Sequence, residues 1–221
     1  MSKRFGLVAL MILLVAGFAF AQSQPSAKAT AKVGKVEILD GAIQADGWAT
    51  ILSNNLKTSN SKSIFVDVSI ECGLYTRTLV RSKGGTKDTS TATAAVKVKV
   101  LVDGKMAYPE EVVFCSREQT LSAMLGGILD CEDLDGDGHT TLDECDATDE
   151  EIELILDTMN ANAFNFVTPS LSPGVHLIEV QAQLDTDGKA AAGETEAKAT
   201  IGKGSVTMEE VRLAVGDDVE L

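Results

Sequence analysis

The sequence predicts a mainly β fold, an antiparallel β-sandwich that carries one inserted loop and one short α-helix. Two observations lead to this prediction. Apolar and polar residues alternate with a period of two in several segments, which is typical of strands with one buried face. Clusters of Gly, Asp and Ser separate about nine or ten such segments, at the spacing of the short strands and turns of a sandwich.

The N-terminus has the pattern of a secretory signal peptide over residues 1–21. Lys3 and Arg4 precede an apolar run from Phe5 to Phe20, and Ala19-Phe20-Ala21 supplies a cleavage site. Residues 22–32 are small and polar, which predicts a disordered tail. No later segment reaches the roughly 20 apolar residues of a membrane-spanning helix. We therefore expect a secreted or periplasmic protein without a membrane anchor.

The remaining residues, 33–221, are expected to form one domain with an insertion at about 126–162. Asp103-Gly104 is a hairpin turn signal between two strand patterns. Ser82 to Thr93 is rich in Gly, Lys, Ser and Thr and predicts a mobile loop. The clearest alternating segments are residues 64–72, 96–102, 178–184 and 195–201.

A short helix is predicted after the inserted loop. Thr148-Asp149-Glu150-Glu151 has the pattern of a capping box. Five small or apolar residues then follow at helical spacing, namely Ile152, Ile155, Leu156, Met159 and Ala163. We therefore expect a helix that begins at Thr148.

The most specific motif of the chain lies between residues 133 and 144. Acidic residues occupy its first, third and fifth positions, Asp133, Asp135 and Asp137. Gly138 is the sixth residue and Glu144 the twelfth. This is the pattern D-x-[DN]-x-[DN]-G-x₅-E, and the stretch resembles the calcium-binding loop of an EF-hand over these twelve residues.

The resemblance implies one calcium ion held by oxygen ligands, which are the ligands that calcium prefers. The implied ligands are the side chains of Asp133, Asp135 and Asp137, the backbone carbonyl of His139, Thr141 (directly or through water), and both carboxylate oxygens of Glu144. From residue 130 to residue 151 there are eleven acidic residues and no Lys or Arg. Such close like charges repel one another, so a divalent cation would stabilise the segment. The alternative is a solvated acidic loop without an ion.

The segment departs from a complete EF-hand in two ways. Gly126 and Gly127 are adjacent where an entering helix would lie, and each glycine costs a helix interior about 1 kcal/mol relative to Ala. No second loop with this pattern is present in the sequence. A lone loop lacks the paired-loop cooperativity of a calcium switch, so the ion is expected to be structural.

The four cysteines of an exported chain are expected to form disulfides, for which three pairings are possible. We favour Cys131 with Cys145, because this bond would hold the two ends of the acidic loop together. The other pair is then Cys72 with Cys115, which lie in two segments with strand character. The alternative of a four-thiolate zinc site lacks the close C-x₂₋₄-C spacing of such sites.

Residues 172–180, Ser-Pro-Gly-Val-His-Leu-Ile-Glu-Val, loosely resemble the turn and late strand of immunoglobulin-like sandwiches. This resemblance favours a sandwich over a barrel. The formal charge of the chain is −14. Loss of Lys3 and Arg4 with the signal peptide leaves 17 basic and 33 acidic residues, a charge of −16. We therefore expect no nucleic-acid partner, because proteins that bind nucleic acid are normally basic.

The sequence provides little support for an enzymatic function. The two histidines, His139 and His176, are both expected to be structural, and no nucleophile or nucleotide-binding motif is present. The first hypothesis is a secreted, non-catalytic calcium-binding module with surface, matrix or protein-interaction roles and an unidentified partner. The alternative is an accessory or catalytic domain that acts on an extracellular polysaccharide or protein, with calcium shaping a substrate loop.

Overall fold

The computed structural model describes residues 29–35, 47–83 and 85–213. Within these residues the fold is mainly β, as predicted, with eleven strands and one 3₁₀ helix of three residues. The predicted signal peptide and residues 22–28 of the predicted tail lie outside the described residues. Residues 29–32, the end of that tail, belong to a strand instead. The described parts of the chain contain no helix long and apolar enough to span a membrane.

The strands are named here in chain order. Their bounds are β1 (Ala29–Lys35), β2 (Ala49–Thr58), β3 (Lys62–Lys83), β4 (Lys87–Val102), β5 (Lys105–Met106), β6 (Val112–Met124), β7 (Leu129–Cys131), β8 (Cys145–Ala147), β9 (Asp149–Leu171), β10 (Gly174–Ala190) and β11 (Glu194–Val211). The 3₁₀ helix spans Leu142–Glu144.

Two antiparallel sheets form the body of the sandwich. The first sheet has the strand order β1-β11-β3-β9. The second has the order β2-β10-β4-β5, and β6 also pairs with β4. A third, two-stranded sheet of β7 and β8 lies between β6 and β9 in the sequence and carries the acidic loop.

The core lies between the two sheets and follows the predicted period of two. Alternate residues of β3 and β4 are almost fully buried, whereas the residues between them are partly exposed. Burying a Val or Ile side chain contributes about 1.5–3 kcal/mol, so these alternating faces supply much of the stability. The buried side chains of this core include Ile64, Val66, Val68, Ile70, Val96, Val98, Val100, Phe166, Ile178, Val180, Val206 and Met208.

The predicted turn at Asp103-Gly104 is present between β4 and β5. Both residues have positive φ angles, 52° for Asp103 and 79° for Gly104. Two central residues with positive φ define the type I′ turn, whose twist matches that of the flanking strands. Asp and Gly are among the residues that adopt this conformation most readily.

The predicted mobile loop over Ser82 to Thr93 is wrong. β3 continues to Lys83 and β4 begins at Lys87, so the connection is much shorter. Several polar side chains of this stretch have partners in the fold; Ser90 Oγ, for example, donates a hydrogen bond to Leu79 O at 2.6 Å. Polar composition therefore reflected buried hydrogen bonding and not a loop.

The predicted helix that begins at Thr148 is also wrong, because residues 149–171 form strand β9. This strand pairs with nearly the whole length of β3, so its backbone hydrogen bonds are made across the sheet. Thr148 does not act as a helix cap, because its Oγ1 donates to Ile128 O at 2.9 Å. The insertion is correspondingly shorter than the predicted 126–162. We call residues 125–148, between β6 and β9, the acidic lobe.

Side chains of β6 connect the two sheets along the edge formed by β9. Gln119 is buried, and its Oε1 accepts a hydrogen bond from Thr76 Oγ1 at 2.7 Å. Its Nε2 donates to Thr78 Oγ1 at 2.7 Å and to Leu154 O at 2.8 Å. Arg117 Nη1 donates to Leu156 O at 3.0 Å. These bonds give two carbonyl groups of the edge strand a donor.

Candidate metal centre

The acidic lobe is built on a two-stranded ribbon instead of a pair of helices. Cys131 and Cys145 face each other across β7 and β8, are joined by a disulfide and have Cα atoms 4.0 Å apart. At the base of the lobe, Thr148 N donates to Ile128 O at 2.8 Å. The ribbon therefore brings together the two ends of the loop that the sequence motif occupies.

The structure brings three of the predicted ligands together. Carboxylate oxygens of Asp133, Asp135 and Asp137 all lie within 4.8 Å of one another, and the three residues are exposed. Their side chains also fix the loop locally, since Asp135 Oδ1 accepts a hydrogen bond from Asp137 N at 3.0 Å. Three carboxylates at this separation could hold a metal ion with oxygen ligands.

Asp133 organises the first half of the loop. Its two carboxylate oxygens accept hydrogen bonds from Gly136 N at 2.7 Å and from Gly138 N at 2.9 Å. These backbone donors, Gly138 first, hold the pKa of Asp133 below its ordinary value, so the group is charged at neutral pH. Gly136 and Gly138 have φ angles of 75° and 81°, a conformation that glycine adopts without the strain of a Cβ atom.

Glu144 closes the second half of the loop but lies outside the cluster of three aspartates. Its carboxylate accepts hydrogen bonds from Leu134 N at 3.0 Å and from Thr141 N at 2.8 Å. The Thr141 amide, followed by the Thr141 hydroxyl, lowers the pKa of Glu144. The hydrogen bond from Leu134 to Glu144 thus connects the two sides of the loop, and the Glu144 carboxylate is charged.

The two remaining predicted ligands have other contacts in the loop. His139 N donates to Asp137 Oδ1 at 2.7 Å, which places this backbone next to the aspartate cluster. Thr141 Oγ1 donates to Glu144 Oε2 at 2.9 Å. The sequence Thr141-Leu142-Asp143-Glu144 has the S/T-x-x-E spacing of a capping box, and the 3₁₀ helix lies there. The predicted capping box at Thr148 is wrong, and this one lies where none was predicted.

The donor set of the lobe fits a hard divalent cation. Carboxylate, carbonyl and hydroxyl oxygens suit calcium and magnesium, whereas zinc and copper favour thiolate and imidazole. The cysteines beside the loop are joined in a disulfide and provide no thiolate. Residues 125–148 contain no Lys or Arg, so the carboxylates of the lobe have no Lys or Arg side chain within it to balance their charge.

The second disulfide lies in the core, away from the lobe. Cys72 of β3 and Cys115 of β6 are joined, with Cα atoms 6.7 Å apart, and Cys72 is buried. Both pairings are those that the sequence favoured. With all four cysteines in disulfides, a four-thiolate zinc site has no ligands. Two disulfides are typical of proteins outside the reducing cytosol.

Comparisons with known proteins place the chain in no family. No protein-family model matches it, and no curated protein matches it either. Solved structures with partial similarity include the infectious bursal disease virus Gx strain (12% identity, 82% of this chain, 33% of that one, TM-score 0.27). Another is the VP2 subviral particle of that virus (13% identity, 83% and 32% of the two chains, TM-score 0.27).

A third similar structure is dimeric latent PorU from Porphyromonas gingivalis (9% identity, 83% of this chain, 13% of that one, TM-score 0.23). The chain spans about a third or less of the length of these three proteins. Similarity at these TM-scores carries no argument about function. The antiparallel β-sandwich therefore rests on the sheets described above, and its immunoglobulin-like character stays a prediction.

Proposed function

We propose that the protein is an exported, non-catalytic β-sandwich module in which one calcium ion, bound by residues 133–144, acts as a structural staple. The observation that carries this proposal is the convergence of the Asp133, Asp135 and Asp137 carboxylates within 4.8 Å. The ion would draw further oxygen ligands from the His139 carbonyl, Thr141 and Glu144, as the motif implies. Surface, matrix or protein-interaction roles suit such a module.

The charge of the lobe supports a bound cation. The hydrogen bonds to Asp133 and Glu144 lower the pKa of both groups, so Asp133 stays ionised within the cluster of three aspartates and Glu144 stays ionised elsewhere in the same loop. Ionised groups this close repel, and a divalent cation removes that repulsion. Extracellular calcium modules bind with Kd values of about 10⁻⁴–10⁻³ M, so the ion would be bound at external calcium concentrations.

The contacts of the two histidines support a non-catalytic role. His176 is buried, and its ring nitrogens lie next to Asp103 Oδ2 and Ser172 O. His139 belongs to the candidate calcium loop. Neither imidazole is therefore placed as a general base in an open cleft. The alternative role on an extracellular polymer stays a prediction from the sequence.

Isothermal titration of the mature protein with calcium tests the site. We expect one bound ion per chain, with a Kd of about 10⁻⁴–10⁻³ M. Glu144→Gln removes a predicted bidentate ligand and should weaken binding by at least about tenfold. Asp146→Asn is the matched control, because it removes one carboxylate from the same lobe outside the twelve-residue loop.

The control should change the affinity by less than about threefold, since it alters only the long-range charge. Equal losses of calcium affinity in both variants would mean that calcium is attracted by the overall charge of the lobe and has no defined site in the loop. If millimolar calcium produced no heat of binding, that result would contradict the proposal directly.

A further inference from the structure

His176 connects two turns and the end of strand β2 at one end of the second sheet. Its Nδ1 lies 2.7 Å from Oδ2 of Asp103, in the β4–β5 turn. Its Nε2 lies 2.8 Å from the carbonyl oxygen of Ser172, between β9 and β10, and 3.1 Å from Oγ1 of Thr58, at the end of β2. His176 and Thr58 are 4% and 2% exposed, so water does not satisfy these groups.

The two partners of the ring determine its protonation. A carboxylate oxygen and a carbonyl oxygen both accept hydrogen bonds and cannot donate them. A neutral imidazole donates from one nitrogen only, so it would present a lone pair to one of these two oxygens. The contacts on both sides are therefore made together only when both ring nitrogens carry protons.

Thr58 offers the neutral ring a second arrangement. In the structure Thr58 Oγ1 is 2.9 Å from Ser172 O, to which it donates, and it accepts from Gly174 N at 3.2 Å. The same hydroxyl can rotate its proton toward His176 Nε2. The carbonyl of Ser172 would then lose both of its donors, the imidazole and the hydroxyl.

We propose that His176, Asp103, Thr58 and Ser172 form a pH-dependent latch on the β9–β10 turn. The latch is closed while the imidazole carries both protons. Loss of the proton from Nε2 leaves the proton on Nδ1 with Asp103, and Thr58 turns its hydroxyl to Nε2. The Ser172 carbonyl is released, and the turn opens locally while the sheets remain paired.

The direction of the pH dependence follows from the surrounding charges. Asp103, from the β4–β5 turn, is the charged group that raises the pKa of the His176 ring. The charge of Lys105, in β5, helps to lower the pKa of Asp103. Thr58 and Ser172, from the other two elements, are uncharged. The hydrogen bond to Asp103 raises the pKa of His176 above 6.5. The latch is therefore closed at pH values well below the raised pKa and opens as the pH rises through that pKa.

Nitrogen-15 NMR of the mature protein in saturating calcium tests the latch. We expect both ring nitrogens of His176 to be protonated at pH 5, and Nδ1 alone to keep its proton above the transition. The amide of Gly174, which donates to Thr58 Oγ1, should lose at least about fivefold of its exchange protection across the same transition, the effect of losing one hydrogen bond. Protection factors, not raw rates, are compared, because intrinsic exchange itself depends on pH.

Three variants separate the parts of the latch. Thr58→Val removes the donor that the neutral ring needs and should raise the pKa of His176, whereas Thr58→Ser keeps the hydroxyl and should leave it unchanged. Asp103→Asn, which suits the positive φ of this turn, should lower the pKa of His176 and move the opening to lower pH. Retention of the Nε2 proton in the neutral ring, constant protection of the turn, or an unchanged pKa in Thr58→Val would overturn the proposal.

Discussion

One buried carboxylate fixes the geometry of two turns. Asp88 is 3% exposed and accepts hydrogen bonds from Arg81 N at 2.8 Å, Thr89 N at 2.8 Å and Ala192 N at 3.2 Å. One side chain thus connects the β3–β4 hairpin with the β10–β11 turn. The sequence could not indicate this role, because Ala192 lies more than one hundred residues away.

Asp88→Asn should lower the melting temperature at neutral pH, since it weakens several hydrogen bonds to a charged acceptor. The Arg81 amide, the largest cause, holds the pKa of Asp88 below its ordinary value of 3.8. The ionised Asp88 carboxylate therefore contributes its full stability above pH 3.8, and this stability is lost as the pH falls through the lowered pKa. In melting curves from pH 7 to pH 2, the difference in melting temperature between wild type and variant should become smaller as the pH falls.

The exposed Asp157 provides the matched control for this prediction. Asp157→Asn changes the net charge equally but should leave the melting temperature nearly unchanged at pH 7. A gap between wild type and Asp88→Asn that stays constant down to pH 2 would contradict the assigned role of the Asp88 charge.

Local contacts explain which residues could be predicted. The positive φ angles of the Asp103-Gly104 turn and the hydrogen bonds that the loop aspartates accept involve only neighbours within about five residues, and sequence patterns describe such neighbours well. In the loop, Asp133 reaches no further than Gly138. Asp88 and Gln119 depend on partners in distant strands, and no local pattern marks those partners.

Among the elements, β9 shows how sheet pairing overrides helical spacing. Ile152, Ile155 and Met159 are 41%, 48% and 61% exposed, so the apolar spacing that suggested a buried helical face does not describe a buried face. The segment instead completes the sheet beside β3 and receives side-chain donors from β6. Strand formation depends on such neighbours more than on local propensity.

Gln119→Ala tests the connection between β6 and the edge strand. The variant leaves the fully buried hydroxyls of Thr76 and Thr78, and Leu154 O, without this partner. We expect a loss of about 2–4 kcal/mol in the free energy of unfolding, measured with chemical denaturant. Glu118→Ala, on the exposed face of the same strand, should cost less than about 0.5 kcal/mol. Comparable losses would show that the amide network adds no stability.

At the scale of the whole molecule, the two disulfides constrain different units. Cys72–Cys115 closes 43 residues between the two sheets, and Cys131–Cys145 closes 14 residues around the acidic loop. By lowering the entropy of the unfolded chain, the disulfide that closes the longer loop should contribute about 4 kcal/mol of stability, and the other about 3 kcal/mol. The first bond therefore stabilises the sandwich, and the second mainly shapes the lobe. Cysteine spacing around the acidic motif predicted this division, whereas the lobe's β-ribbon base was not predicted.

Paired replacements should separate these two units. Cys131→Ser with Cys145→Ser should weaken calcium binding, because the loop ends are no longer held together, and should change the stability of the calcium-free protein less. Cys72→Ala with Cys115→Ala should lower the stability of the sandwich and leave the calcium affinity of the folded protein unchanged. Calorimetric titration and denaturant unfolding of both variants measure the two effects. The reverse assignment of effects would contradict this division.

Thermal melting with and without calcium is the most direct test of calcium as a structural staple. At a calcium concentration of about 100 times the Kd, binding to the folded state adds about 2.7 kcal/mol of stability. For a domain of this size the melting temperature should rise by about 5–10 °C relative to the chelated protein, and Glu144→Gln should lose most of this rise. Identical melting curves for the wild-type protein in calcium and in chelator would contradict the account.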